Sequence, residues 1–219
     1  MSPTEICNIA LAHIGDARIN SIDGTETNEV ICKTYYNQAR REMIETIPWT
    51  FARKRALLST LAETPPFKWS FQAALPSDYV RVLQVRAGNA DDDAEVVDRV
   101  LDSFEVSGGN ILTDSDLIGL YYIADIDNPG AYSPSFVTAL ARLLASYIAI
   151  SIDGDPRLAL AQRELYRRED LPRAQYLDQV QDQSNENSEV EFNKRRSPLI
   201  AARFKGNTGT TFGSNLSSF

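Results

Sequence analysis

The chain has 219 residues, 43% hydrophobic and 24% charged, which is enough to bury a core as one domain with appendages and too apolar for wholesale disorder. Its formal charge is −8, but residues 193–219 hold five of the 22 basic residues and none of the 30 acidic ones, so the remainder carries 17 against 30. Cys7 and Cys32 are the only cysteines, and the expectation is a buried, reduced pair.

Ser2-Pro3-Thr4-Glu5 combines a capping serine, a proline suited to the first helical position and a Glu that closes a capping box. It predicts a first helix with Ile6, Ile9, Ala10, His13 and Ile14 inward and Gly15 as the left-handed stop. No basic leader precedes this helix, so the chain is expected to be made and kept in cytoplasm. After a turn at Asp23-Gly24, Cys32, Tyr35, Tyr36, Ala39, Met43 and Ile47 recur at helical spacing until Pro48. A helix from Asn28 to Ile47, about 30 Å long, is predicted, with Lys33, Arg40, Arg41 and Glu45 on a face left to solvent or a partner.

Pro65-Pro66 opens a segment of β-branched and aromatic residues between Gly, Asn and Asp turns. Strands are predicted for Tyr79 to Arg86 and Leu117 to Ala124, a hairpin for Phe104 to Thr113 turning at Gly108-Gly109, and a loop for Asp91 to Asp93. Ser133-Pro134 then starts a helix whose stripe of Phe136, Leu140, Leu143, Leu144, Tyr147 and Ile148 ends before Gly154. Thr138, Arg142, Ser146 and Ser151 interrupt its apolar run, which is core-helix spacing, and no membrane span is predicted. Asp155-Pro156 starts a last helix with Leu158, Leu165 and Tyr166 inward, which Pro172 should kink or interrupt before it resumes toward Gln183.

Beyond Ser184 no period is sustained and Gly, Ser, Thr and Asn dominate the tip, an arm able to span about 115 Å if extended. The expected fold is therefore mainly α: a helical bundle formed by residues 1–64 and 131–184, a small β-rich insertion at 65–130, and an extended C-terminal arm at 185–219. Within the arm, Lys194, Arg195, Arg196, Arg203 and Lys205 offer charge to steer a partner, and Leu199, Ile200 and Phe204 offer anchors.

No catalytic constellation assembles. His13 is the only histidine, and Cys7 lies six positions away, rotated by about 240° on the same helix. Cys32 can approach from the second helix, but a buried histidine among small neighbours is the simpler reading. Two cysteines and one histidine fall one ligand short of a zinc site, and no metal or cofactor is expected. Asp125 and Asp127 share one face of an extended segment at glycosidase-like separation, although a solvated turn accounts for them. Gly206, Gly209 and Gly213 lack the Lys-Ser/Thr ending of a phosphate loop. Asn215-Leu216-Ser217 has no consequence as a glycosylation acceptor without secretion, and Trp49 and Trp69 are expected as core anchors.

A series of segments resembles the head-to-tail adaptor (connector) family of tailed bacteriophages, the tail tubular protein A-like proteins. It consists of Ile6-Cys7-Asn8-Ile9-Ala10-Leu11 with Ile14-Gly15, then Cys32, Tyr35-Tyr36, Arg40-Arg41, Pro48-Trp49-Thr50-Phe51-Ala52 and Lys54-Arg55-Ala56. Leu75-Pro76-Ser77-Asp78, Leu140-Ala141 and Leu144-Ala145 follow, so the resemblance covers roughly Glu5 to Asp178, with Pro172 departing from its pattern. It implies a non-catalytic virion protein at the head–tail junction, assembled in the host cytoplasm. Such a protein forms a self-associated, dodecameric ring below the portal protein, extends the DNA exit channel and receives the next tail or nozzle protein. Genomic DNA would pass without specific binding, and the acidic remainder of the chain suits such sliding. Two alternatives are a DNA-binding accessory protein acting through the basic arm and a hydrolase using carboxylates such as Asp125 and Asp127.

Overall fold

The computed structural model of the protein describes residues 1–88, 97–101 and 103–182. The arm residues singled out above and Asp91 to Asp93 lie outside the described residues. The chain divides into a unit spanning Met1–Asp178 and a second, Gln179–Phe219.

Local chemistry sets the helix ends. Helix α1, Pro3–Ile14, begins with the Ser2–Glu5 capping box and ends at Gly15, whose φ of 83° is open to glycine without strain. Helix α2, Thr27–Thr46, starts with a reciprocal box between Glu26 and Glu29. After it, Pro48 leads into a 3-10 turn at Thr50–Ala52. Helix α3, Pro134–Asp153, is capped by the Ser133 side chain and closed by left-handed Gly154. Helix α4, Pro156–Leu165, takes its N-cap from Asp155.

Pro172 does not break the chain's last helix. A π turn at Tyr166–Asp170 precedes helix α5, Leu171–Asp182, and Leu171 N–H donates to the Tyr166 carbonyl five residues back. Proline has no N–H, and its ring displaces the carbonyl four residues earlier, so widening the preceding turn lets the helix continue. The inward face here also differs from the expected one. Ala159, Gln162 and Tyr166 are buried, Leu158 is half-buried, and Leu165 is exposed.

The expectation of a mainly α protein is incorrect: the structure is mixed α and β, with about 50% of the described residues in helix and 21% in strand. The strands are β1 Arg53–Leu58, β2 Phe71–Ala74, β3 Tyr79–Gly88, β4 Val97–Val100, β5 Glu105–Ser107, β6 Asn110–Thr113 and β7 Ile118–Ala124. They form a four-stranded sheet ordered β1-β7-β3-β4 and a three-stranded sheet ordered β2-β6-β5, with every pair antiparallel. Sequence reading missed β1 because Arg-Lys-Arg-Ala-Leu-Leu has helical propensity. Its pairing with β7, from Arg53 opposite Ile123 to Leu58 opposite Ile118, overrides that preference. The β5–β6 hairpin turns at Gly108 and Gly109 with φ of 59° and 82°, the two positive values a tight primed turn requires.

Two cores result. In the helical half, α3 carries the largest buried stripe, including Phe136, Leu140, Leu143, Leu144 and Ile148, packed against Ile6, Cys7, Ala10 and Leu11 of α1 and Cys32, Tyr36, Ala39 and Met43 of α2. The inward face of α1 is thus rotated toward Cys7 and Leu11 relative to expectation, and Ile9 and Ile14 are only partly buried. By length and composition α3 is apolar enough to cross a membrane, and 61% of its most apolar window is buried inside the protein. The second core fills the space between the sheets with Ala73, Val85, Ile111, Ile118, Leu120, Tyr122 and Ala124.

Candidate functional site

Arg40-Arg41, the Pro48–Ala52 segment, Lys54 and Asp78 converge where the helices meet the four-stranded sheet. Arg40, expected on a solvent or partner face, is buried; its Nη1 donates to Asp125 Oδ1 just past β7 and to the Ile126 carbonyl at 2.7 Å. Arg41 Nε meets the other oxygen, Asp125 Oδ2, at 3.0 Å. Asp125 is therefore not a solvated turn residue but a strut clamped by two guanidiniums. Asp127 is exposed, so the two carboxylates do not share an environment suited to acid–base work.

Beside this strut the Pro48–Ala52 segment forms an aromatic knot. Trp49 is fully buried, packs edge-on against Phe136 at 5.0 Å between ring centroids, and donates its indole N–H to the Met43 carbonyl at 2.7 Å. Phe51 meets Phe136 at 4.9 Å and Tyr132 at 5.4 Å. The Tyr132 hydroxyl donates to the Ile126 carbonyl, which also receives Arg40. Trp69 does not share this role: it is half-buried in a loop, with Lys68 Nζ 4.6 Å from its ring and its indole N–H donated to Glu105 Oε2.

Two carboxylates complete the junction. Asp78, from the Leu75–Asp78 segment, accepts from Lys54 Nζ at 2.6 Å and from the Tyr122 hydroxyl at 3.0 Å, while its carbonyl accepts from Asp125 N–H at 2.7 Å. The Lys54 hydrogen bond holds the Asp78 carboxyl below the usual range, whereas burial and the bond to Asp78 push Tyr122 up to about 12. Asp178 on α5 is almost fully buried and accepts from the Thr50 backbone N–H at 3.0 Å and from its hydroxyl at 3.0 Å. Sequence reading missed Asp178 because its partner lies 128 residues away.

A second polar cluster sits among the helices at the π turn. Arg142 Nε pairs with Asp170 at 2.9 Å, its Nη1 donates to Gln162 Oε1 at 2.9 Å, and Gln162 Nε2 donates to the His13 carbonyl at 3.0 Å. His13 Nε2 is buried without a hydrogen-bond partner, and desolvation together with the Arg142 charge lowers the imidazole pKa. Nearby, Glu42 accepts from the Tyr147 hydroxyl and from Arg163 Nη2, the latter at 2.9 Å. His13 meets neither cysteine in this arrangement. Cys7 and Cys32 are both buried and free, and their mutual hydrogen bond followed by burial pushes the Cys7 thiol far up. Among the described residues no group of three or more His, Cys, Asp or Glu gathers to hold a metal ion.

No protein-family model matches the chain, and no curated protein matches it.

Proposed function

We propose that this protein is a structural virion component of a tailed bacteriophage, a head-to-tail adaptor. In this reading identical subunits form a ring, expected to be a dodecamer, below the portal protein. The ring extends the DNA exit channel and presents a platform for the next tail or nozzle protein. The supporting observation is that some of the residues behind the resemblance, Arg40, Arg41, Trp49, Thr50, Phe51, Lys54 and Asp78, form one contact network joining helices to sheet, while those on α1 and α3 pack in the helical core. Such a joint suits a protein that must transmit position and not perform chemistry. The C-terminal arm, with Lys194, Arg195, Arg196, Arg203 and Lys205 interleaved with Leu199, Ile200 and Phe204, acts as a tether docking on the portal or a neighbouring subunit.

Electron microscopy of the purified protein mixed with its portal tests the reading. A ring stacked on the portal is the expected image, and free portals beside unassembled protein would sink it. Removal of residues 193–219 is expected to abolish stacking; normal assembly without them would remove the tether role. The alternative of an accessory protein that binds DNA through the arm predicts that the arm accounts for all DNA affinity, measured by gel shift across a salt series.

A further inference from the structure

The outer face of the four-stranded sheet carries a feature that the ring reading leaves unused. Register places Arg53, Arg55, Arg81 and Arg86 of β1 and β3 on the side of the sheet that carries Gly119, Tyr121 and Ile123 of β7, whereas Lys54 lies on the other side, paired with Asp78. On the face away from the inter-sheet core lies a hollow of about 290 Å³ lined by Arg55, Leu57, Gln84, Arg86, Gly119 and Tyr121. Its shape follows from register. Arg55 stands opposite Tyr121 and Leu57 opposite Gly119 on one side; Gln84 and Arg86 stand opposite the same two β7 residues on the other. Gly119 contributes no side chain at the centre, so the flanking residues become walls.

The Arg55 charge is held in place by an aromatic ring and not by an acid. Its guanidinium lies over the Tyr121 ring at 5.3 Å and has no carboxylate partner among the described residues. Arg86 is oriented from the opposite wall by donating to Gln84 Oε1 at 3.1 Å. A planar carboxylate is satisfied by one guanidinium fork, whereas a tetrahedral phosphate presents oxygens in several directions and can bridge two guanidiniums approaching from opposite sides. Because the Arg55 guanidinium covers the Tyr121 ring, stacking of a base there would require its displacement, so recognition falls on the phosphate.

We propose that this hollow binds the phosphate groups of a nucleic-acid backbone. The choice of nucleic acid as the phosphate source rests on the adaptor reading; the preference for phosphate over carboxylate rests on the two-walled arrangement alone. The site gives the sheet a sequence-independent, salt-sensitive grip that the net negative charge elsewhere keeps weak.

The test uses the full chain and a fluorescein-labelled duplex of about 20 base pairs, with binding followed by anisotropy over a series of KCl concentrations. Lys194, Arg195 and Arg196 are changed to Gln in every sample so that the arm does not mask the sheet. Arg55→Ala is expected to weaken binding and flatten the dependence of log K on log salt by about 0.9 for each phosphate that is no longer neutralised, with Arg55→Lys intermediate. Inorganic pyrophosphate is expected to compete in an Arg55-dependent way, and polyglutamate to compete poorly. Unchanged affinity and slope in Arg55→Ala would overturn the proposal. So would Arg55-dependent competition by polyglutamate stronger than by pyrophosphate, which would assign the hollow to an acidic protein segment. Imaging the otherwise native Arg55→Ala variant with portal separates the two readings. Rings that form while DNA binding disappears support both, whereas disappearance of phosphate binding without rings in any variant keeps the hollow and removes the adaptor assignment.

Discussion

Arg40 on α2 and Asp125 beyond β7 form an ion pair that crosses from the helices to the sheet, with the guanidinium 6% and the carboxylate 20% exposed. The pair sits where polar groups are costly unless fully partnered, and Arg41, Ile126 and Tyr132 supply part of the partnering. Arg40 Nε remains buried without an acceptor, so the balance there has little slack.

Removing one member should therefore hurt more than replacing both. Asp125→Ala is expected to cost about 3–5 kcal/mol by stranding a buried guanidinium, and the double variant Arg40→Met/Asp125→Leu to recover part of that loss. Urea midpoints of the two variants measure it. Equal or worse stability in the double variant would show that the pair itself, and not the stranded charge, dominates.

Trp49 offers a second test with its own reporter. Trp49→Ala is expected to destabilise by about 3–5 kcal/mol through the cavity left beside Phe136 and Phe51. Trp49→Phe keeps most of the ring but leaves the Met43 carbonyl without its donor, a cost of about 1–3 kcal/mol. Because Trp69 is half-buried, emission from Trp69→Phe should be blue-shifted and emission from Trp49→Phe red-shifted. Identical spectra would contradict the assigned burial.

Gly24 is required for space and not for its φ. A Cβ there would lie 1.7 Å from Glu29 Oε2, whose carboxylate is buried and accepts from the Ser21 and Glu26 backbone N–H groups. Gly24→Ala is expected to displace that carboxylate and cost about 1–3 kcal/mol. Combining it with Glu29→Ala should cost less than the sum of the single changes, which thermal unfolding of all three variants would show.

The His13 imidazole predicts a pH dependence. Its pKa is lowered in the fold by desolvation and by Arg142 from α3, with Asp170 from the π turn opposing. The unfolded chain therefore binds this proton more readily than the folded one. The stabilising contribution is complete above the ordinary histidine pKa of about 6.5 and is lost as pH falls through the lower folded value. His13→Leu is expected to flatten the fall in Tm between about pH 7 and pH 5. A variant that keeps the wild-type slope would place the sensitivity elsewhere.

Asp78 and Tyr122 bracket the opposite ends of the pH scale. The lowered carboxyl pKa contributes stability that is complete above the ordinary carboxylate range and is lost as pH falls through the folded value. The raised phenol contributes stability that is complete below about pH 10 and is lost as pH rises through about 12. Tyr122→Phe should remove the alkaline component and reduce the acid limb without abolishing it, because the Tyr122 hydroxyl helps to lower the Asp78 pKa but the larger contribution comes from Lys54; the readout is Tm against pH.

Much of the helical framework was legible because its signals are local. Ser2-Pro3, Ser133-Pro134 and Asp155-Pro156 mark helix starts, and Gly15 and Gly154 mark ends, through hydrogen bonds and φ values set within a few residues. The Gly108-Gly109 hairpin was legible for the same reason. What escaped was set by distant partners. β1 becomes a strand only by pairing with β7, Arg40 is buried only because Asp125 is delivered to it, and Asp178 finds its donor at Thr50.

The sequence by itself determined the starts of α1, α3 and α4 and the ends of α1 and α3, that α3 would be the apolar centre, and that the basic excess lies in residues 193–219 and the acidic excess before them, since each follows from neighbouring residue types. Only the tertiary structure decided that the fold is mixed α and β, that Pro172 is absorbed by a π turn, and that arginines from separate strands face one hollow. Those outcomes depend on strand pairing and burial between residues far apart in the chain, where the free energy of contact outweighs local propensity.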